Sequence, residues 1–263
     1  MNPIRILCIG DVVGQAAVAA LEKHLWPIRN TLGADLVITN SENAAQGNGL
    51  DVQSAKRILF AGTDVITSGN HIWKKKEIGN YLNDTANVIR PANFPASCPG
   101  CGYTICEARG YRVLVMNVLG TMYMEALDSP FDAIDRILAL KEGSYDISVL
   151  DIHAEATSEK AALAAYFDGR VSAIFGTHTH VQTADASVLP GGSGFITDVG
   201  MTGPVDSILG VKKEIVIEKF RKHMPVRFDI ADNEIALCGC LFTYDTDTKR
   251  VTQATPVRYE FAQ

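Results

Sequence analysis

Short apolar runs alternate with amphipathic stretches through the first two thirds of the chain. The apolar runs, which predict buried strands, cover residues 5–11, 34–43, 63–71, 111–120, 145–155 and 171–180. The amphipathic stretches, which predict helices, cover residues 16–30, 54–62, 130–142 and 158–169, the last with Ser158 as its N-cap. A sequence that switches in this way between strand and helix periods is typical of the α/β class.

The last part of the chain has a different pattern. Between residues 225 and 261, apolar and polar residues alternate around the turn sequences DN and DTDTK, which predicts an antiparallel meander. No long linker, internal repeat or low-complexity segment interrupts the chain. We therefore predict a single domain over residues 1–263, in which helices lie outside two sheets.

Five of the predicted strands end in polar clusters. The clusters are IGDVVG (9–14), NSENAAQGNG (40–49), TSGNHIW (67–73), LDIHAEATSEK (150–160) and GTHTHVQT (176–183). In open α/β sheets, ligands bind beyond the carboxyl ends of the strands. The five clusters are therefore expected to meet at one site.

Each cluster taken alone has a simpler interpretation. An aspartate or asparagine after a strand is often a turn residue or a helix cap, and a single histidine is more often structural than ligating. The recurrence changes this balance, because four of the six histidines lie in the clusters: His71, His153, His178 and His180. The other two histidines lie in predicted helices, and we interpret both as structural.

The side chains in these clusters indicate a metal site. Side chains two apart on a strand share a face, so His178 and His180 are predicted to point the same way, with the threonines turned away from the site. Gly69 is expected to allow a close approach of the backbone. Carboxylates, amide oxygens and imidazoles without a required thiolate suit Mn, Fe or Zn. Three or more histidines with a carboxylate able to bridge suggest a dinuclear centre.

Composition argues against several classes of function. The formal net charge of -6 leaves no broad basic surface, so we expect no extended nucleic-acid interface. No segment has the roughly 18 uninterrupted apolar residues of a membrane span, and the N-terminal run is too short for a signal sequence, so we predict a soluble cytoplasmic protein. The six cysteines do not resemble a disulfide framework, and a zinc site at Cys98 and Cys101 is a minor alternative.

In their order along the chain, these motifs resemble those of the calcineurin-like metallophosphoesterase superfamily. The match is to its YmdB-type branch, which is similar over residues 9–204 in the strings IGDVVG, SENAAQGNGL, GNHIWKKKEI, RPANFP, DIHAEATSEK, GTHTHVQTAD and ITDVGMTGP. Two positions depart from the general superfamily pattern, because Val13 stands where a histidine is usual and Glu42 where the bridging aspartate is usual. The YmdB-type branch shares both changes.

The resemblance implies a four-layer α-β-β-α sandwich and a site for two divalent or mixed-valence metal ions. It implies that one metal is held by Asp11, Glu42, Asn43 and His180, and the other by Glu42, Asn70, His153 and His178. Glu42 would then bridge the two metals, and His71 would be an acid near the leaving group rather than a ligand. The family is associated with iron, with Mn, Zn or Mg as alternatives, and with phosphodiester substrates, notably 2′,3′-cyclic nucleotides.

The activity implied by this resemblance is hydrolysis of a small phosphodiester by a hydroxide held between two metals, with His71 protonating the departing sugar oxygen. Two alternatives stay open: a phosphomonoesterase of the same superfamily, and a metal-bearing regulatory protein with little turnover. The letters SGNH at 68–71 do not indicate an SGNH esterase, because GDVV stands where that class carries its nucleophilic serine. Assembly into a homo-oligomer also stays open.

Overall fold

The computed structural model describes residues 3–46 and 48–261, so Gly47 of the second polar cluster and the terminal residues lie outside it. The strands are β1 (Ile4–Ile9), β2 (Asp11–Val12), β3 (Leu36–Asn40), β4 (Val65–Thr67), β5 (Tyr103–Ala108), β6 (Tyr111–Leu119), β7 (Ile147–His153), β8 (Ala173–Thr177), β9 (Ser187–Val188), β10 (Gly194–Ile196), β11 (Met201–Pro204), β12 (Ile235–Asp245) and β13 (Arg250–Phe261). The α-helices are α1 (Gly14–Leu32), α2 (Val52–Phe60), α3 (Ile78–Asp84), α4 (Pro130–Leu140), α5 (Thr157–Phe167) and α6 (Lys213–Lys222), with a 3-10 helix at Ile72–Lys74.

The strands form two sheets. The first has the order β2-β11-β12-β1-β3-β4, with β13 paired to β12, and the second has the order β5-β6-β7-β8-β10-β9. In the first sheet β1, β3 and β4 are parallel, and in the second β6, β7, β8 and β10 are parallel. Helices connect most of the parallel neighbours, whereas β8 reaches β10 through a loop that contains β9, since two parallel strands cannot be joined by a tight turn.

The side chains of β1 show why the fold has four layers. Ile6 and Cys8 pack into a core shared by both sheets, whereas Leu7 and Ile9 pack on the other face against α1 and α2. Helices α4 and α5 cover the outer face of the second sheet in the same way. Because successive side chains of a strand point to opposite faces, each sheet is apolar on both sides. The predicted α-β-β-α sandwich is thus confirmed, while a single domain over residues 1–263 stays a prediction.

Two predicted details are wrong. Ser158 does not cap α5, because that helix begins at Thr157 and Ala156 occupies the N-cap position. The C-terminal antiparallel pattern is confirmed as the hairpin β12–β13, which turns at the DTDTK sequence, but residues 225–234 form no strand apart from a bridge at Ile230. Among the described residues, no helix is both long and apolar enough to cross a membrane.

Candidate metal centre

The polar clusters follow the carboxyl ends of parallel strands from both sheets. Asp11 begins β2, two residues after the end of β1. Glu42 and Asn43 follow β3, Asn70 and His71 follow β4, His153 ends β7, and His178 and His180 follow β8. Contacts between these side chains cross from one sheet to the other, since His153 of the second sheet contacts Asn70 and Glu42 of the first. The expectation that the clusters meet at one place therefore agrees with the geometry.

One group of side chains surrounds Nε2 of His153. This nitrogen lies 3.1 Å from Asn70 Oδ1, 3.1 Å from His178 Nδ1 and 3.3 Å from Glu42 Oε1. Glu42, His153 and His178 each offer one ligand atom, and these atoms all lie within 4.8 Å of one another, a spacing that suits a metal ion. His153 and Glu42 are almost completely buried.

A second group shares Glu42 with the first. Asn43 Nδ2 lies 2.9 Å from Glu42 Oε1 and 3.4 Å from His180 Nε2, which in turn lies 3.9 Å from Asp11 Oδ1. Asp11 is fully buried, and its Oδ1 atom has no hydrogen-bond partner. A buried, unpartnered carboxylate oxygen is unfavourable unless a ligand completes its coordination. Every predicted metal ligand belongs to one group or the other.

His71 lies beside Glu42 and Asn43 and is about a quarter exposed. Its backbone N–H donates to Glu42 Oε2 at 2.9 Å, and its ring Nδ1 lies 2.8 Å from Asn43 Oδ1 and 3.1 Å from Glu42 Oε1. Both neighbours of Nδ1 are acceptors, so Nδ1 carries a proton in this arrangement. Nε2 is then the nitrogen left for a ligand in the cavity.

A buried polar network behind His153 was not predicted from the sequence. Thr177 Oγ1 donates to Asp151 Oδ1 at 2.7 Å and lies 2.9 Å from His153 Nδ1, while Asn40 donates to Asp151 Oδ2 at 2.9 Å. These contacts fix the ring so that Nε2 faces the first group. The available signal was Asp151 itself, a carboxylate inside an apolar strand and two residues before His153.

The charges at the site shift the pKa values of its members. Burial would raise the pKa of Glu42, but the charge of His153 and hydrogen bonds from His153 and His71 hold it well below its usual range. Burial would lower the pKa of His153, but the carboxylates around it outweigh burial and raise it to about 9. Burial and the charge of His153 lower the pKa of His178 to about 4. A proton at this site therefore resides on His153.

The turn after β8 differs from its prediction. The strand ends at Thr177, and His178 and His180 have φ values of 95° and 64°, so neither lies on a strand and the same-face argument is wrong. Both nevertheless line one cavity. The prediction that the threonines are turned away from the site is wrong for Thr177, which contacts His153. Left-handed φ values are uncommon for non-glycine residues, and surrounding contacts must hold them.

Those contacts include a buried ion pair. Thr179 donates to Asp198 Oδ2 through its backbone N–H at 3.1 Å and its hydroxyl at 2.7 Å, and Lys160 Nζ donates to the same oxygen at 2.8 Å. Lys160 is fully buried although its side chain is charged. In the sequence SEKAAL, Lys160 has no feature that distinguishes it from an ordinary surface residue near the start of a helix.

Gly69 is placed as predicted. A Cβ atom added there would lie 2.4 Å from Glu42 Oε2 and 2.4 Å from His153 Nε2, so the backbone at this position lies directly against the first group. Only glycine permits this approach without displacing a side chain of the site.

A cavity of about 320 Å³ opens onto the site. Its polar side includes Glu42, Asn43, His71, His178 and His180. Size alone does not identify the site, because a cavity of about 490 Å³ lined by parts of residues 82–104 contains none of the predicted ligands. Cys98 and Cys101 lie at that larger cavity with free thiols, and no group of three metal-binding side chains in the described ranges includes them.

Comparison with known proteins agrees with the resemblance seen in the motifs. Residues 7–257 match the family described as YmdB-like protein. The 2′,3′-cyclic-nucleotide 2′-phosphodiesterase of Bacillus subtilis (strain 168) is 44% identical over 250 residues, which cover 95% of each chain.

Two solved structures are similar over nearly their whole length. A hypothetical protein from Thermus thermophilus is 41% identical with a TM-score of 0.91, covering 98% of this chain and 99% of that one. A novel phosphatase from Mycoplasma pneumoniae is 34% identical with a TM-score of 0.93, covering 100% of this chain and 95% of that one. The predicted branch is confirmed, and the chain belongs to the YmdB-like protein family.

Proposed function

We propose that the chain is a dinuclear metal-dependent phosphodiesterase that hydrolyses cyclic nucleotides, preferably 2′,3′-cyclic nucleoside monophosphates. The observation that carries the proposal is the convergence of Glu42, His153 and His178 donor atoms within 4.8 Å at the strand ends, with His71 alongside. The name of the Bacillus subtilis relative supports the choice of a cyclic diester.

The donor atoms fit metal ions. The two groups offer carboxylate oxygens, amide oxygens and imidazole nitrogens, which suit Fe, Mn or Zn. The Asp11 Oδ1 atom has no hydrogen-bond partner, and it adds a buried negative charge that a bound cation would neutralise. We assign one metal to Asp11, Glu42, Asn43 and His180, and the other to Glu42, Asn70, His153 and His178. Iron is our proposed metal, following the resemblance, and Mn, Zn or Mg are the alternatives.

Asn43 can take part both in metal binding and, through His71, in proton transfer. Its Oδ1 atom accepts from His71 Nδ1 at 2.8 Å, and an amide oxygen has a second lone pair for a metal. Asn43 thus links the orientation of the His71 ring to the second group. When the ring carries a second proton, on Nε2, His71 can give that proton to the departing sugar oxygen, a role worth about 10²–10⁴-fold in rate.

The remaining residues of the site orient the proposed metal ligands. When bound, divalent metals lower the pKa of water from 15.7 to about 7 and stabilise charge on phosphoryl oxygens. The chain contributes the geometry: Asp151 and Thr177 orient His153, and Asp198 holds the turn that carries His178 and His180. Positioning of this kind is required because a small displacement of a ligand weakens both binding and catalysis.

Metal analysis combined with substrate comparison tests the proposal. We expect anomalous scattering to show two metal peaks about 3.5–4 Å apart, and 2′,3′-cyclic AMP to be hydrolysed faster than a nucleoside monophosphate. Faster hydrolysis of the monophosphate would favour the phosphomonoesterase alternative. Metal-replete protein that hydrolyses neither compound would favour the regulatory alternative and contradict the proposal.

A further inference from the structure

The cavity at the candidate site has two chemically different sides. Besides the polar residues, it is lined by four apolar side chains from two neighbouring segments, Leu209, Val211, Phe228 and Ile230, which we call the apolar wall. None of them takes part in metal binding or proton transfer in the proposed function. Ligand cavities commonly combine a few placed polar groups with an apolar lining that binds the rest of the ligand.

The apolar wall is held in a fixed position relative to the candidate metal ligands. The backbone carbonyl of Leu209 accepts a hydrogen bond from His180 Nδ1 at 3.1 Å. The two segments that supply the wall pair with each other, because Ala231 N–H donates to Gly210 O at 2.9 Å and Val211 bridges to Ile230. The backbone that carries the apolar wall is therefore hydrogen-bonded directly to the His180 ring.

Leu209 presents its side chain at a hairpin turn. It has a φ of 53° and is 48% exposed, and with Gly210 it joins Ile208 to Val211, which exchange backbone hydrogen bonds at 2.9 and 3.0 Å. A two-residue turn of this kind takes a positive φ at both central residues, so the turn accounts for the backbone of Leu209. The exposed side chain lines the cavity.

Phe228 supplies a flat aromatic surface. Its side chain is 47% exposed at the cavity, and Lys219 Nζ lies 4.5 Å from the ring centroid. Lys219 lies over the ring, and the exposed part of Phe228 lines the cavity. Aromatic rings bind nucleobases by stacking, and this works for every base because each has a π-face.

We propose that the apolar wall binds the base of a nucleoside phosphodiester, with Phe228 stacked on it, while the phosphate lies against the polar side. This inference rests on the proposed function and names the part of the substrate that the metal site does not recognise. The cavity volume of about 320 Å³ suits a single nucleotide, since small-molecule sites span roughly 300–1,000 Å³. The wall therefore selects nucleoside diesters over diesters that lack a base.

The kinetic test compares substrates with and without a base. Phe228→Ala is expected to raise the KM for 2′,3′-cyclic AMP by about 5- to 150-fold with little change in kcat, as stacking on one aromatic ring predicts. The KM for glycerol 1,2-cyclic phosphate, which has no base, is expected to stay unchanged. Phe228→Tyr keeps a ring and is expected to retain most of the affinity.

Phe220→Ala is the matched control, because Phe220 is an exposed phenylalanine of α6 that does not line the cavity. It is expected to leave both KM values unchanged. An equal rise for both substrates in Phe228→Ala, or no rise for the nucleotide, would overturn the inference. Either result would leave the proposed diesterase activity standing.

A binding measurement separates this inference from the proposed function. Adenosine carries no phosphate, so its dissociation constant reports on the base site alone and can be measured by calorimetry without turnover. We expect adenosine to bind the wild-type protein and to bind Phe228→Ala more weakly by a similar factor. The same affinity in both proteins, or binding to neither, would overturn the base site whatever the hydrolysis assays give.

Discussion

Two buried polar networks meet at the turn formed by His178, Thr179 and His180, and they differ in how completely their atoms are paired. In the first, Lys160 and Asp198 form an ion pair at 2.8 Å, and Asp198 Oδ2 also accepts two hydrogen bonds from Thr179. Asp198 Oδ1 accepts from the backbone N–H of Gly200 at 2.8 Å. This network satisfies its own charges.

The second network, at the candidate metal centre, does not satisfy its own charges. Asp11 Oδ1 is buried without a partner, and two imidazole nitrogens, His153 Nε2 and His178 Nδ1, lie only 3.1 Å apart. Carboxylates and imidazoles that point at a common centre leave lone pairs without donors. Both networks bury charge, so burial of charge does not distinguish a binding site. The candidate metal centre differs because one of its buried carboxylate oxygens is left unpaired.

Removing the carboxylate of Glu42, which is common to both groups, is expected to have the largest effect on metal binding. Glu42→Ala should lose nearly all bound metal, because both proposed ligand sets lose a member and the shared negative charge. Metal content per chain, measured by elemental analysis, checks this. Glu155→Ala is the matched control, since Glu155 lies 3.0 Å from His178 Nε2 but is half exposed, and it should keep its metal. Full metal content in Glu42→Ala would contradict the assignment.

His71→Ala separates proton transfer from metal binding. We expect normal metal content and a kcat lowered by about 10²–10⁴-fold, because the variant lacks an acid for the departing oxygen. A diester with a p-nitrophenolate leaving group needs no acid, so its hydrolysis should fall far less. An equal loss for both substrates would indicate that His71 does not protonate the leaving group.

Breaking the ion pair between Lys160 and Asp198 is expected to lower the stability of the metal-free fold. Lys160→Met leaves the Asp198 carboxylate buried and unpaired, which is expected to lower the free energy of unfolding by about 3–5 kcal/mol in urea titrations of the metal-free protein. Lys222→Met removes the exposed ion pair with Glu218 and should change the free energy of unfolding by less than about 1 kcal/mol. Similar changes in the two variants would mean that the buried ion pair stabilises the fold no more than the exposed one.

The smallest expected effect is a pH dependence of metal binding. His153 has its pKa raised to about 9 in the metal-free protein, and a metal requires the neutral ring, so binding at pH 7 displaces a proton. The apparent affinity should rise by about tenfold per pH unit and level off above about pH 9. The His178 ring, with a pKa of about 4, is already neutral and adds nothing to this slope. Calorimetry in two buffers measures the protons released, and no release at pH 7 would contradict the prediction.

The raised pKa of His153 also has a consequence for the metal-free fold. A group whose pKa is higher in the folded state stabilises that state fully below its unfolded value of 6.5, and this contribution is lost as pH rises through about 9. The metal-free protein should therefore unfold more readily at alkaline pH, in the range where metal binding strengthens.

Much of the fold and of the candidate site could be predicted from the sequence, because the relevant signals are local. Strands such as β6 and β7 are continuous apolar runs, and each polar cluster directly follows a strand of this kind. The parallel order of the strands then brings the clusters together without any further information. Gly69 was predictable because it stands inside a polar cluster, although the side chains it lies against, Glu42 and His153, come from other strands.

The features that the sequence did not reveal depend on contacts between distant segments. Lys160 resembles an ordinary helix residue until Asp198 is brought next to it, and Phe228 resembles an ordinary exposed residue until the chain folds back over the cavity. The error at His178 has another cause, since nothing in GTHTH shows that the strand stops at Thr177. Left-handed φ values at two histidines are the result of tertiary contacts that local preference opposes.

The pairing of β1 with β12 has a consequence for how the protein is made. Residues 4–9 lie beside residues 239–244, so one side of the first strand has no hydrogen-bonding partner until almost the whole chain has been synthesised. Contacts of such long sequence separation slow folding, and an unpaired strand edge invites association with other chains during that interval. That edge of β1 is therefore exposed in the nascent chain, and Asp11, a proposed metal ligand, reaches its final surroundings only after distant segments of the chain have joined the sheet.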